Sequence, residues 1–429
     1  MSDRLIGTSR IYRALRRACV DMAAAGLICL GGTAYAAATG PRTFVLDGAA
    51  RPGFTAVAPG RAYGPGGYGY EPASRPDDRL FSVAVPEGTY RVTLTFGEHP
   101  GKVTVKAENR RLMLLDTPTG RDRGSRSFLV TVRTPALAPP PPNAPGGDAV
   151  RITPIERRTF EWDDRLTLEL LGDGDVATVS IAPVTAPTIF LAGDSTVTDQ
   201  PYEPTASWGQ MLPAMVDDTV AVDNHAWSGE TLKSFLTELR LDKLLSLARP
   251  GDWLLIQFGH NDQKANWPQT YADPTYTYPA YLKTYIAEAR RRGMHPVLVT
   301  SPERRMFLPD GTLKRTLADY VDAMKRVAAE EKVPLIDLNA ASRRIYETLG
   351  PKRAPLAFND GGRDQTHNDN YGAWMLARAV AAGLAHETPA LAAHIREPYR
   401  SFDPSKPPLP DAVDIPASSA RSTVRPAGN

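Results

Sequence analysis

Cysteine is close to absent. The 429 residues hold two, Cys19 and Cys29, both near the amino terminus. That excludes a disulfide-stapled scaffold, a cysteine metal cluster and a thiol nucleophile in the body of the chain. A His-Glu-x-x-His pair is missing as well. Asp173-Gly174-Asp175 and Asn368-Asp369-Asn370 look like fragments of calcium loops, but neither is followed by the glutamate that closes such a loop, so both read as turns. No metal and no other cofactor is expected. Neither sign of charge dominates, with 50 Lys and Arg against 48 Asp and Glu. A balanced surface gives no footprint for nucleic acid. No apolar run reaches the ~20 residues of a membrane span. The Gly-x-Ser-x-Gly elbow of α/β-hydrolases is absent too.

The amino terminus has the pattern of an export signal, predicted over residues 1–36. Arg4, Arg10, Arg13, Arg16 and Arg17 precede a small-apolar run from Met22 to Gly32, and Ala34-Tyr35-Ala36 supplies a cleavage site. Cleavage there would remove both cysteines, five arginines and two aspartates, leaving 45 basic and 46 acidic residues. The expected destination is secreted or periplasmic.

Two domains are expected beyond that segment. From residue 40 to 184 short runs alternate apolar and polar residues, as in Tyr90-Arg91-Val92-Thr93-Leu94-Thr95-Phe96, the mark of half-buried strands. Strands are expected at Thr43–Leu46, Leu80–Val85, Tyr90–Phe96, Gly101–Ala107, Arg111–Leu115, Ser127–Arg133, Val150–Thr153, Arg165–Leu170 and Val176–Ala182, making an all-β sandwich. The proline-rich stretch Pro135 to Gly147 reads as a loop within it. From 187 to 398 strands alternate with helices, predicted at Ser207–Val216, Thr231–Ala248, Tyr278–Arg292 and Leu317–Lys332. That alternation implies an α/β domain with a parallel sheet. Residues 399–429, rich in Pro and Ser and without periodicity, are expected to be disordered.

Four short blocks carry the chemistry. The apolar strand Thr188 to Ala192 runs into Gly193-Asp194-Ser195, and Asp364-Gln365-Thr366-His367 lies far downstream. Together they offer a nucleophile, a base and an orienting acid. Alone, the first is a turn and the second a capping aspartate beside a surface histidine. Two further blocks, Asn224-His225-Ala226-Trp227-Ser228-Gly229 and Gly259-His260-Asn261-Asp262, also follow apolar strands. The four blocks are expected to gather at strand carboxyl ends, where active sites of such sheets lie. His260 reads as structural because His367 fills the base role better, and His225 reads as a satisfied polar contact under the loop, with a place lining the cleft as the alternative.

In these blocks and their order the sequence resembles the GDSL or SGNH hydrolases, and within them the rhamnogalacturonan acetylesterases. The resemblance implies a flavodoxin-like three-layer fold. It makes Ser195 the nucleophile, Asp364 and His367 the acid and base, and the Ser195 and Gly229 backbone N–H groups with the Asn261 amide the oxyanion donors. Glu230-Thr231 departs from the basic-then-Ser pair expected after the second-block glycine. The sandwich resembles galactose-binding-like domains.

The substrate implied is an acetylated polysaccharide or oligosaccharide, rhamnogalacturonan before others. Acetylated xylan or a lipid ester is the alternative, and a non-catalytic glycan-binding protein a more distant one. Asn266 and Trp267, on an aromatic-rich stretch after Asn261, are expected either to meet sugar or to belong to a loop that packs its aromatics on the domain. Arg304 and Arg305, past the strand at Val297 to Thr300, read either as contacts for galacturonate carboxylates through their forked guanidinium donors or as surface charges. Nothing in the sequence fixes an oligomeric state.

Overall fold

The sandwich strands owe their existence to alternation. In β5 (Gly88–Phe96), Tyr90, Val92, Leu94 and Phe96 are buried while the threonines and Arg91 between them are not. The computed structural model describes residues 40–46, 48–72, 79–424 and 426–427. The expected export segment, with Cys19 and Cys29, lies outside the described residues. Around β5 stand β1 (Arg42–Val45), β2 (Thr55–Ala56), β3 (Tyr68–Tyr70), β4 (Arg79–Ala84), β6 (Gly101–Ala107), β7 (Arg111–Thr119), β8 (Ser125–Val132), β9 (Arg165–Leu171) and β10 (Val176–Pro183). They form two five-stranded sheets, ordered β2-β1-β10-β5-β8 and β3-β4-β9-β6-β7. Phe44, Val92 and Val179 of the first sheet share a core with Phe81, Val105 and Leu168 of the second.

The expected strand at Val150–Thr153 does not form. Val150 and Ile152 instead pack with Trp162 in a satellite cluster. Two alternate residues are buried there with no neighbouring strand to pair with, which is why period-two patterning misled. This segment belongs to the long connection between β8 and β9, which leans on the second half of the chain: Arg151 N donates to Glu238 O at 3.0 Å.

β10 ends at Pro183 and β11 begins at Thr188. β11 (Thr188–Gly193), β12 (Ala221–Asn224), β13 (Trp253–Gln257), β14 (His295–Val299) and β15 (Leu335–Ile336) form a parallel sheet in the order β12-β11-β13-β14-β15. This is the doubly wound flavodoxin-like order. β11, at the topological switch, is apolar on both faces. Ile189 and Leu191 enter one layer, with Trp208, Tyr346 and Trp374. Phe190 and Ala192 enter the other, with Phe235, Tyr285 and Met324.

The helices are α1 (Trp208–Met211), α2 (Leu232–Thr237), α3 (Arg240–Leu247), α4 (Thr277–Arg291), α5 (Ala318–Glu331), α6 (Leu338–Arg353), α7 (Asn370–Glu387) and α8 (Pro389–Ala392). The helix expected over Thr231–Ala248 is thus two, because Leu239 takes a left-handed φ of 62°. Both halves bury the same apolar face, so the periodicity runs through the break. Expected Ser207–Val216 is α1 followed by a 3₁₀ turn at Leu212–Met215.

The tail is a second correction. Up to residue 424 it follows an ordered path. Buried Lys106 donates to Pro416 O (2.7 Å) and Ser418 Oγ (2.9 Å), and Glu203 accepts from Ser418 N (2.9 Å). Tyr371 OH donates to Pro408 O at 2.6 Å. Apart from a 3₁₀ turn at Pro410–Ala412, the segment is held by groups distant in sequence, which composition does not register. Among the described residues, no helix is long and apolar enough to cross a membrane.

Candidate active site

Ser195 sits on the turn that leaves β11. Glycine precedes it at one remove because a Cβ on Gly193 would lie 2.5 Å from the Val197 side chain. The turn is then tied to itself. Asp194 Oδ1 accepts from Thr196 N (2.9 Å) and Thr196 Oγ1 (2.8 Å), and Asp194 O accepts from the Val197 and Thr198 amides. From β13, Gln257 donates to Thr196 Oγ1 at 2.7 Å while accepting from Trp208 Nε1 at 2.7 Å. Gln200 Nε2 donates to Ser195 O at 2.7 Å.

Asp364 and His367, the expected acid and base, arrive on the loop before α7. Its conformation is fixed by Asn359 N donating to His367 O (2.9 Å), Ala206 N to Asn368 O (2.9 Å) and Arg305 N to Gln365 O (2.8 Å). The result brings groups 172 residues apart into contact: His367 Nε2 lies 2.8 Å from Ser195 Oγ. On the far side of the ring, Nδ1 lies 2.9 Å from Asp364 Oδ2. All three side chains are buried.

Burial alone would raise the Asp364 carboxyl. The bond and charge of His367, with the Thr366 and His367 amides on Oδ1, outweigh it and hold the group at about 2. An ionised carboxylate only accepts, so Nδ1 must carry the ring proton. Nε2 then keeps its lone pair toward the serine hydroxyl. The arrangement can move the Ser195 proton to the ring and stabilise the imidazolium that forms.

The two expected oxyanion partners are joined by one contact. Gly229 takes a φ of 90°, which favours glycine. The carbonyl of the next residue, Glu230, accepts from Asn261 Nδ2 at 3.0 Å. Lys264 Nζ donates to Asn261 Oδ1 at 3.0 Å, so the amide is held at both ends. A primary amide has two N–H donors, and this bond uses one. Replacing Asn261 by alanine should cut kcat ~10²–10³-fold in a folded protein, the usual cost of one oxyanion donor, measured as acetate release at saturating ester.

The Glu230 carboxylate is turned inward, where it meets Arg240 Nε (3.1 Å) and Ser234 Oγ (2.6 Å). His260 has its Nδ1 3.5 Å from Asp194 Oδ2. Burial opposes charge on Asp194, but His260 and Thr196 hold its carboxyl below the usual range. His225 contacts Asp223 Oδ2 at 3.0 Å, and burial pulls its ring down to about 4. Both histidines are buried.

Asp262, also buried, accepts from Leu232 N at 3.0 Å. Burial, with the Asp194 charge adding to it, pushes its carboxyl up to about 7. An acid raised on folding makes the folded state the stronger proton binder, so stability is greatest below the ordinary carboxylate range and falls as pH rises toward 7. Asp262→Asn should remove about 2–3 kcal/mol of the stability lost between pH 5 and pH 8, read from urea unfolding at both values.

The expected sugar contacts are spread. Asn266 is exposed. Trp267 lies under Lys264 Nζ, 4.3 Å from the ring centroid, and so connects with Asn261 through that lysine. Arg304 reaches Thr316 Oγ1 (3.3 Å) and His260 O (3.4 Å). Arg305 is spent on the acid loop itself, donating to Gly362 O and Asp364 O, rather than facing a ligand. The sequence reading did not single out Gln200, Gln257 or Arg305 as braces, since none stands in a motif that marks it.

Beside Ser228 and Gln200 opens a cavity of about 650 Å³, walled by Tyr202 and Trp227, by Ile155 of the β8–β9 connection and by Val424 of the tail. Among the described residues, no three His, Cys, Asp or Glu side chains converge as a metal site.

Residues 191–387 match the GDSL-like lipase/acylhydrolase family. Rhamnogalacturonan acetylesterase RhgT of Bacillus subtilis is 42% identical over 209 residues, covering 46% of this chain and 88% of its own. A probable rhamnogalacturonan acetylesterase of that bacterium, YesY, is 41% identical over 46% of this chain and 91% of its own. The uncharacterized esterase YxiM, also from B. subtilis, is 26% identical over 395 residues, 84% of this chain and 95% of its own. The chain therefore belongs to the GDSL-like lipase/acylhydrolase family and is a serine ester hydrolase with an SGNH fold.

Proposed function

We propose that this protein is an exported acetylesterase that removes acetyl groups from a plant cell-wall polysaccharide, rhamnogalacturonan before others, through an acyl-serine intermediate. The observation that carries the reading is the Ser195 Oγ–His367 Nε2 contact of 2.8 Å, continued to Asp364 at 2.9 Å. In the first step Ser195 attacks the acetyl carbonyl as His367 takes its proton, and the sugar hydroxyl leaves with that proton. The Ser195 and Gly229 N–H groups and the Asn261 amide receive the developing oxyanion. Water, deprotonated by the same imidazole, then releases acetate.

The relatives named as rhamnogalacturonan acetylesterases support the substrate class. The cavity beside Ser228, with Tyr202 and Trp227, is the place we propose for the sugar chain. In this reading residues 1–36 are a leader, 40–184 a galactose-binding-like sandwich and 187–398 the catalytic domain. The inward-turned Glu230 leaves an acidic sugar unopposed.

Acetate release from acetylated rhamnogalacturonan, acetylated xylan and a synthetic acetyl ester, run side by side on purified protein, tests the proposal. Preference for rhamnogalacturonan supports it. Preference for xylan, or faster turnover of an octanoyl than an acetyl ester, overturns the substrate.

A further inference from the structure

The turn joining β6 to β7 holds Glu108 and Arg110 at φ of 52° and 61°. Non-glycine residues keep a left-handed backbone only where surrounding contacts impose it. Those contacts lead out of the sandwich to the hydrolytic centre, along two routes.

The first starts at Arg111, buried and tied by Nη1 to Thr131 O (3.1 Å) and Thr131 Oγ1 (3.0 Å). Its Nε donates to Asp199 Oδ2. Asp199 Oδ1 accepts from Asn224 Nδ2 at 2.8 Å. Asn224 also donates to Val197 O at 2.7 Å and accepts from Ala226 N at 3.2 Å. One ion pair from the sandwich therefore fixes both the segment after Ser195 and the turn that leads to Gly229.

The second route runs through the neighbouring residues. Arg110 Nη1 donates to Gln200 O and Thr205 O, both at 3.0 Å. Gln210 Nε2 bridges Asn109 O (2.8 Å) and Gln200 O (3.0 Å). Gln200 Nε2 in turn donates to Ser195 O and, at 3.4 Å, to Ser228 Oγ. Leu112, next along β7, is buried in the hydrolase core beside Trp208 rather than in the sandwich.

We propose that the 108–111 turn of the sandwich is a positioning element of the hydrolytic centre, with Arg111 acting through Asp199 and Asn224 to keep the Ser195 and Gly229 segments in register. Turnover of an ester too small to touch the sandwich then depends on it. The reason is geometric: nucleophile and oxyanion donors must converge on one carbonyl, and a displacement of ~1 Å costs on the order of 10²-fold in rate. The proposal rests on Ser195 being the nucleophile.

The test uses the full chain, p-nitrophenyl acetate and four variants. Arg111→Lys keeps the buried charge balance but loses the fork. Arg111→Met with Asp199→Asn removes both charges of the pair together, so it carries the test should Arg111→Lys not fold. Both should lose ~10–100-fold in kcat with KM within about 3-fold of wild type. Val179→Ala, in the sandwich core away from both routes, should lower the unfolding midpoint and leave kcat unchanged at a temperature where it is folded. Wild-type kcat in a folded Arg111 variant, or an equal kcat loss in Val179→Ala, overturns the positioning role. Ser195→Ala, assayed in parallel, separates the premise: an active Ser195→Ala removes the nucleophile, whereas an inactive one beside a fully active Arg111 variant removes only the positioning role.

Discussion

Replacing Ser195 by alanine lowers acetate release from a synthetic acetyl ester by ~10⁴-fold or more, with the thermal unfolding midpoint essentially unchanged. The hydroxyl makes one contact of consequence, 2.8 Å to His367 Nε2, and the turn around it is held by Asp194, Thr196, Gln200 and Gln257 instead. Removing Oγ therefore takes away the attacking atom and leaves its scaffold. Whatever rate persists comes from ester bound near oxyanion donors with water as nucleophile, the residue usually left when a triad member is removed.

Asp364→Asn is expected to cost about as much, ~10⁴-fold in kcat, and the hydrogen bonds say why. Asp364 Oδ1 accepts from two backbone amides, Thr366 N at 2.8 Å and His367 N at 3.0 Å. In the variant those amides claim the amide oxygen, which turns the NH₂ toward His367 Nδ1. That nitrogen must then accept, the ring proton moves to Nε2, and the ring can no longer take the proton of Ser195. Steady-state kinetics with a melting curve check this: kcat falls while the fold persists.

The same residue sets a pH expectation. With its folded value depressed to about 2, Asp364 stays ionised throughout the range in which such an enzyme is assayed. Its contribution to stability is complete above the ordinary carboxylate value near 3.8 and is lost as pH falls through about 2. An acid limb of the rate profile above about pH 4 therefore does not report Asp364.

How much of this the sequence discloses depends on the range of the contacts. Strands such as β5 are legible because one face of a sheet meets a core, and alternation along the chain records that directly. β11 is legible for the opposite reason, an unbroken apolar run buried on both faces. α7 is not marked as a helix by periodicity: Tyr371 to Ala377, Ala379 to Ala381 and Leu384 are all buried, so little polar face remains to show a helical repeat. The approach of Ser195, His367 and Asp364 is foreshadowed only by the four short blocks read together, since neither the Gly-Asp-Ser turn nor the Asp-x-x-His pair decides it alone.

The supports of the site are a different matter. Nothing in the chain marks Lys106 and Arg111 on sandwich strands, or Arg133 just past β8, as interior residues, yet all are buried against acids about ninety or more positions away. Left-handed Glu108 and Arg110 carry no glycine to announce them. Arg305 has the same appearance as Arg304 in the chain, and only the path of the 362–364 loop distinguishes them. Such pairings are set by tertiary structure, and a linear reading has no means of choosing the partner.

Whether Ser195 is the attacking nucleophile is read most directly by reaction with a serine-directed organophosphate followed by peptide mapping. One phosphoryl group per chain is expected, on Ser195, with activity lost in proportion to its appearance. An adduct on another residue accompanying inactivation, or full activity with Ser195 blocked, would contradict it.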